Sequence, residues 1–233
     1  ALRAQYHVIA LDQRGHGDSD WHSEGAYSWD DHVKDIEGVV RQLGLDRPIL
    51  VGLSMGGRTA FGYAAAHSNQ VKALVIVDVG PEVNRQGVRR IVTFTSGDAE
   101  FDSFEEMVRR AYKYDPRRPI EQFRGSVRNN VKQLPNGKWT WKYDRVFRDP
   151  NRRRAPSHTS QDLWELAAKV KCPRLVVRGA LSKSWSQETA ERLRDTMPGS
   201  RLVTLEGAGH IAMGDKPVEF EKEARRLLSR LSA

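Results

Sequence analysis

The sequence predicts an α/β fold: a mostly parallel sheet covered by helices on both faces and interrupted by a helical insertion. Short apolar runs alternate with amphipathic helical patterns over both ends of the chain. That alternation is the sequence form of parallel strands buried between helices. It stops between about Pro81 and Ala167 and then resumes. The length, 233 residues of which 39% are hydrophobic, suits one such domain with an insertion. The expected organisation is a core from residues 1–80 and 168–233 with a cap from 81–167.

The elements follow in order. His7–Leu11 (HVIAL) is a short apolar run expected to be a buried strand. A helix is expected from about Trp29 to Leu43, where Val33, Ile36, Val39, Val40 and Leu43 share one face. Ser28, with Asp31 three residues on, has the form of a capping box, and Gly44 supplies a stop. Pro48–Val51 is the next strand, Arg58–His67 an Ala-rich helix and Ala73–Val77 a further strand. Within the insertion, helical patches are expected at Phe104–Tyr112 and Ile120–Val131. Asn136-Gly137 among alternating aromatics signals a hairpin. Beyond it come strand Leu175–Val177, helix Gln187–Thr196, strand Arg201–Leu205 and helix Pro217–Leu231.

Composition excludes several classes. No apolar stretch approaches the roughly 18 residues of a membrane span. The first fifteen residues lack the layout of a signal peptide. Cys172 is the only cysteine, so no internal disulfide can form, and a reducing, cytoplasmic setting is expected. Net charge is +8, and the excess is local: eighteen Lys/Arg face twelve Asp/Glu between Glu82 and Glu165. Arg117–Pro119 and Asn151–Pro156 are the densest parts. Without a nucleic-acid motif this patch reads as a solvated helical face, so neither nucleic acid nor membrane is expected as a partner. No metal-ligand cluster or phosphate loop occurs, and no cofactor is expected.

The chemistry concentrates in loops that follow strands, where ligands bind in such sheets. Gly52-Leu53-Ser54-Met55-Gly56 is a G-x-S-x-G match between an expected strand and an expected helix. A serine on so tight a strand-to-helix turn projects its hydroxyl clear of the sheet, and the residues two before and two after it must be small. The Met55 amide then faces the oxyanion of a tetrahedral intermediate, at a helix N-terminus. A serine hydroxyl needs a base. His210, in a small-residue loop after the last strand, lies at the same rim; His7, His16, His22, His32, His67 and His158 fit less well. The third group of such a constellation orients the imidazole and stabilises imidazolium. The loop after Leu175–Val177 offers Ser182, Lys183 and Ser184 but no carboxylate before Glu188. Asp78, ending the strand after the one that leads to Ser54, is the expected acid, with Glu82 a weaker alternative. Chain order is then nucleophile, acid, histidine.

LDQRGHGDSD, VGLSMGG, VIVDVGPE, VVRGALS and LEGAGHIAM, in that order, resemble the α/β-hydrolase fold superfamily, in the branch of small bacterial esterases, lactonases and carbon–carbon bond hydrolases. The resemblance covers nearly the whole chain. It implies Ser54 as nucleophile, His210 as base, Met55 as an oxyanion-hole donor and Pro81–Ala167 as a helical cap. The sequence departs from the pattern twice. Lys183 stands where the family usually carries its acid, and Asp78 occupies an alternative acid position. The family's first strands, with a His-Gly loop that supplies a second oxyanion donor, are absent from the sequence; by ordinary element lengths they amount to roughly 50 residues. The expected function is a serine hydrolase of small esters or lactones. The alternatives are a non-enzymatic binding protein on this fold and a carbon–carbon bond hydrolase using the same Ser/His pair.

Overall fold

A computed structural model describes residues 2–97, 99–149 and 158–231. The arginine-rich stretch at 151–156 lies outside the described residues. The chain divides into two compact units: residues 28–97 with 150–233, and residues 1–27 with 98–149.

The first unit is built on a four-stranded parallel sheet. Helix α1 (Trp29–Gln42) leads to β1 (Ile49–Leu53), α2 (Met55–Ala66) and β2 (Ala73–Val77). Helix α3 (Arg85–Thr95) follows within this unit. The next four elements, α4 (Phe104–Tyr114), α5 (Ile120–Asn129), β3 (Val131–Gln133) and β4 (Trp139–Trp141), belong to the second unit. The chain then returns through α6 (Ser160–Lys169), β5 (Arg174–Gly179), α7 (Gln187–Thr196), β6 (Arg201–Leu205), α8 (Ala212–Asp215) and α9 (Pro217–Leu228). The spatial strand order is β1-β2-β5-β6, all parallel.

Every residue of β2 and of β5 is buried; β2 reads as a continuous apolar run, and β5 as the apolar Leu175–Val177 between buried Arg174 and Arg178. Their two faces still separate by the period-two geometry of a strand. Leu74, Ile76 and Val176 pack with residues of α1, α2, α6 and α7, whereas Val75, Val77, Leu175 and Val177 pack with Ala212, Met213, Phe220 and Leu227 of α8 and α9. Fully burying a Val or Ile side chain contributes roughly 1.5–3 kcal/mol, so this two-sided packing is a principal support for the strand ends where the loops diverge. The capping box is present in both directions: Asp31 N–H donates to Ser28 Oγ at 3.1 Å and Ser28 N–H to Asp31 Oδ2 at 2.9 Å.

Three expectations need correction. First, His7–Leu11 is not a strand. Val8, Ile9 and Leu11 are exposed, and β1 is the sheet edge, with Val51 half exposed. A strand persists only when a neighbour satisfies its backbone groups, and here the segment that follows is tied elsewhere: Gly17 N–H donates to Lys142 O at 2.7 Å and Asp144 N–H to Gly15 O at 2.8 Å. Residues 2–27 therefore group with the hairpin unit, not with the sheet. Second, the expected 81–167 insertion does not coincide with a compact unit, because α3 and α6 group with the sheet unit. Trp164 on α6 and Trp185 sit in the sheet unit's core cluster. Third, helix α2 begins at Met55, three residues before the Ala-rich pattern suggests.

The second unit holds α4 and α5 packed together and an antiparallel hairpin, with Val131 opposite Trp141 and Gln133 opposite Trp139. Its basic residues are largely engaged: Arg117 pairs with Asp115, Arg124 with Glu105, and Arg118 lies 4.6 Å above the Phe123 ring.

Candidate active site

Parallel pairing places the loops after β1, β2, β5 and β6 at one edge of the sheet. Ser54 follows β1 directly, and its N–H continues the ladder to Val77 O at 3.0 Å. Leu53 is in register with Val77, so Ser54 and Asp78 are the next residues on neighbouring strands, about 4.8 Å apart in strand spacing. Asp78 N–H in turn donates to Val177 O at 2.8 Å.

Ser54 has φ 52° and ψ −119°, and Asp78 has φ 50°. Only one other described non-glycine residue, Arg47, has positive φ. Such conformations cost about 1–3 kcal/mol each and persist where surrounding packing dictates them. At Ser54 the cause is visible. A Cβ at Gly52 would lie 2.3 Å from Gly56 O and 2.6 Å from Gly57 N, so the strand and the helix meet without room for a side chain. Met55 is then the first residue of α2, whose leading N–H groups have no partner within the helix.

The Asp78 carboxylate is fully buried, and the His210 side chain is about one-fifth exposed. Their Oδ2 and Nδ1 atoms are 2.7 Å apart. Asp78 Oδ1 accepts from Gly179 N–H at 3.1 Å. Asp78 Oδ2 also accepts from Ser182 Oγ at 2.5 Å and Ser184 Oγ at 3.3 Å. Ser184 Oγ lies 2.9 Å from His210 Nδ1. Asp215 braces the histidine loop by accepting from Gly209 N–H at 2.8 Å. A buried carboxylate with this many donors and an imidazole neighbour is compensated.

The arrangement brings together Ser54, Asp78, His210 and the Met55 amide at one rim. It does not bring Glu82 there: Glu82 Oε1 accepts from Trp164 Nε1 at 2.6 Å and from Arg192 at 3.0 Å. His158 pairs with Asp30 at 2.9 Å, and His16 belongs to the other unit. Lys183 is exposed, while Ser182 and Ser184 on either side of it approach Asp78. Sequence inspection passed over these two serines because it sought a carboxylate. The signal was the Ser-x-Ser spacing, which in extended chain puts both hydroxyls on one side.

The family model described as the alpha/beta hydrolase fold matches residues 1–217. The chain belongs to the α/β-hydrolase fold family. Among curated relatives of this α/β hydrolase, an esterase of Mycobacterium tuberculosis is 32% identical over 219 residues, covering 90% of this chain and 70% of that protein. A 2-(acetamidomethylene)succinate hydrolase of Mesorhizobium japonicum is 27% identical over 214 residues, covering 90% of this chain and 73% of that protein. Among solved structures, an alpha/beta hydrolase from Novosphingobium aromaticivorans superposes with a TM-score of 0.81 at 29% identity, covering 94% of this chain and 78% of that one. Most of the relatives are named hydrolases, esterases or lipases, which supports hydrolase activity on this fold. No helix among the described residues is long and apolar enough to cross a membrane.

Proposed function

We propose that this α/β hydrolase cleaves a small carboxylic ester or lactone through an acyl-enzyme. The observation that carries this is the 2.7 Å hydrogen bond between His210 Nδ1 and the buried Asp78 carboxylate, at the rim where a strained Ser54 leaves β1. With Nδ1 engaged, Nε2 is the base. It takes the Ser54 hydroxyl proton as Oγ attacks the carbonyl carbon, and passes that proton to the departing alkoxide as the ester C–O bond breaks. A water molecule then repeats the sequence on the acyl-enzyme, its proton going to Nε2 and back to Ser54 Oγ as the acid is released. The Met55 N–H, aided by the partial positive charge at the start of α2, stabilises the oxyanion.

One residue narrows the substrate. Arg58 stands one turn along α2 from Ser54, its backbone N–H bonded to Ser54 O at 2.9 Å. It is partly buried, and burial lowers its pKa. No carboxylate among the described residues pairs with it. An unpaired, partly desolvated cation is costly, and an anionic ligand offsets that cost. A relative is named for a substituted succinate, a dicarboxylate. Both support an ester that itself carries a carboxylate. The lone, buried Cys172 fits the reducing cytoplasm as the place of action.

The test is labelling with a fluorophosphonate probe, followed by turnover of p-nitrophenyl esters with and without a terminal carboxylate. Covalent labelling confined to Ser54, lost in Ser54→Ala, is the expected result. A folded protein that saturating probe leaves unlabelled is a binding protein instead. A labelled protein that cleaves vinylogous diketones but no ester is a carbon–carbon bond hydrolase.

A further inference from the structure

We propose that Ser182 and Ser184 are positioning residues that hold the His210 imidazole with its proton on Nδ1, Ser184 Oγ serving as a second acceptor beside Asp78. This rests on His210 being the base of the proposed hydrolase.

A carboxylate only accepts. Ser182 Oγ, 2.5 Å from Asp78 Oδ2, therefore donates its single hydrogen there and keeps lone pairs to accept. Asp78 Oδ2 also lies 2.7 Å from His210 Nδ1 and can only accept there. With Nδ1 the donor, Ser184 Oγ, 2.9 Å from it, is an acceptor, and its own hydrogen goes to Ser182 Oγ at 3.1 Å or Asp78 Oδ2 at 3.3 Å. Nδ1 must then carry the proton, shared between Asp78 Oδ2 and Ser184 Oγ. The opposite tautomer would set a bare Nδ1 lone pair 2.7 Å from a carboxylate oxygen, which is repulsive. The ring thus leaves Nε2 unprotonated.

The loop is held to this geometry from several sides. Arg178 is buried, and donates through Nε to Trp185 O at 3.0 Å and through its guanidinium to Ala180 O at 3.3 Å. Leu181 N–H donates to Ala208 O at 2.8 Å, in the segment leading to His210. Asn84 N–H, at the cap of α3, donates to Ser184 O at 2.7 Å. The helix start presses so closely that a Cβ at Gly87 would lie 2.3 Å from Lys183 O. Ser184 is buried while Lys183 is exposed, so the loop is built to present hydroxyls inward.

Ser184→Thr and Ser184→Val test this, because they have the same shape and differ by the hydroxyl. Each is made in the wild-type and Asp78→Ala backgrounds, and kcat and KM are measured for one p-nitrophenyl ester. One neutral hydrogen bond corresponds to about a two- to tenfold effect. In the wild-type background Val lowers kcat about twofold relative to Thr, with KM unchanged, since Asp78 still accepts. In the Asp78→Ala background the Thr-to-Val loss grows to about tenfold, since no other acceptor faces Nδ1. Equal Thr-to-Val ratios in the two backgrounds overturn the proposal. A second readout is independent of turnover: the His210 Nδ1 proton resonance, observed by NMR, shifts in Ser184→Val and not in Ser184→Thr. If that resonance is the same in Val and wild type, the proposal fails even where esterase activity is intact. If the resonance shifts in Ser184→Val but the wild type shows no turnover, the hydrolytic reading fails and the serines hold the imidazole without a catalytic role.

Discussion

Gly52→Ala probes the strand-to-helix corner on which Ser54, the proposed nucleophile, depends. The added Cβ would lie 2.3 Å from Gly56 O, 2.5 Å from Gly56 C and 2.6 Å from Gly57 N. All three are backbone atoms, so no side-chain rotation relieves the contact. Ordinary van der Waals separation requires the corner to open by about 1 Å, and overpacking of this kind costs about 1–3 kcal/mol. For a chain of this size each kcal/mol moves the melting temperature by about 2–4 °C. The opening displaces the first turn of α2, which includes the Met55 amide, and alters the backbone that sets Ser54 at φ 52°. A misplacement of about 1 Å at a reacting centre costs about 10²-fold. Circular-dichroism melting and kcat for p-nitrophenyl acetate are the measurements. Gly38→Ala is the control: it lies within α1 with nothing near its Cβ position, and Ala there should gain rather than lose stability. A Gly52→Ala protein that melts normally and keeps kcat within threefold of wild type refutes the corner as the source of Ser54 reactivity.

Asp78→Asn should lower kcat by about 10⁴, because an amide in that place favours the wrong imidazole tautomer. Lys183→Asp, at an exposed position, should change kcat little; a rise in activity would instead mark Lys183 as the site of a lost acid. Arg58→Ala should raise KM for a p-nitrophenyl ester with a terminal carboxylate about tenfold and leave the neutral ester unchanged; equal effects on both would remove Arg58 from substrate recognition. His16 has its pKa lowered, chiefly by burial, from an ordinary 6.5. The unfolded chain therefore binds its proton first, so stability is highest above about pH 6.5 and falls as pH drops toward the folded-state value. Denaturant melts at pH 7.5 and 5.5 should show this fall, and His16→Gln should reduce it.

The sequence alone determined whatever rests on local pattern. Ala73–Val77, Gln187–Thr196 and Arg201–Leu205 fall where periodicity puts them, and Ser28 and Asp31 cap α1 as their spacing implies. Gly52 and Gly56 around Ser54 identify a corner because sterics at that turn admit little else. Tertiary structure decided the rest. His7–Leu11 has strand composition, but a strand exists only with a hydrogen-bonding neighbour, and the segment after it is bound to the hairpin unit. Helices α3 and α6 carry no parallel-strand rhythm beside them, yet they group with the sheet unit. The sequence points to Asp78 as the carboxylate, but only the tertiary structure adds to it the two hydroxyls of the loop after β5. Those groups are separated by 104 and 106 positions along the chain. They meet only because parallel pairing carries the ends of β2 and β5 to the same edge, and a hydrogen bond across that distance leaves no trace in local periodicity.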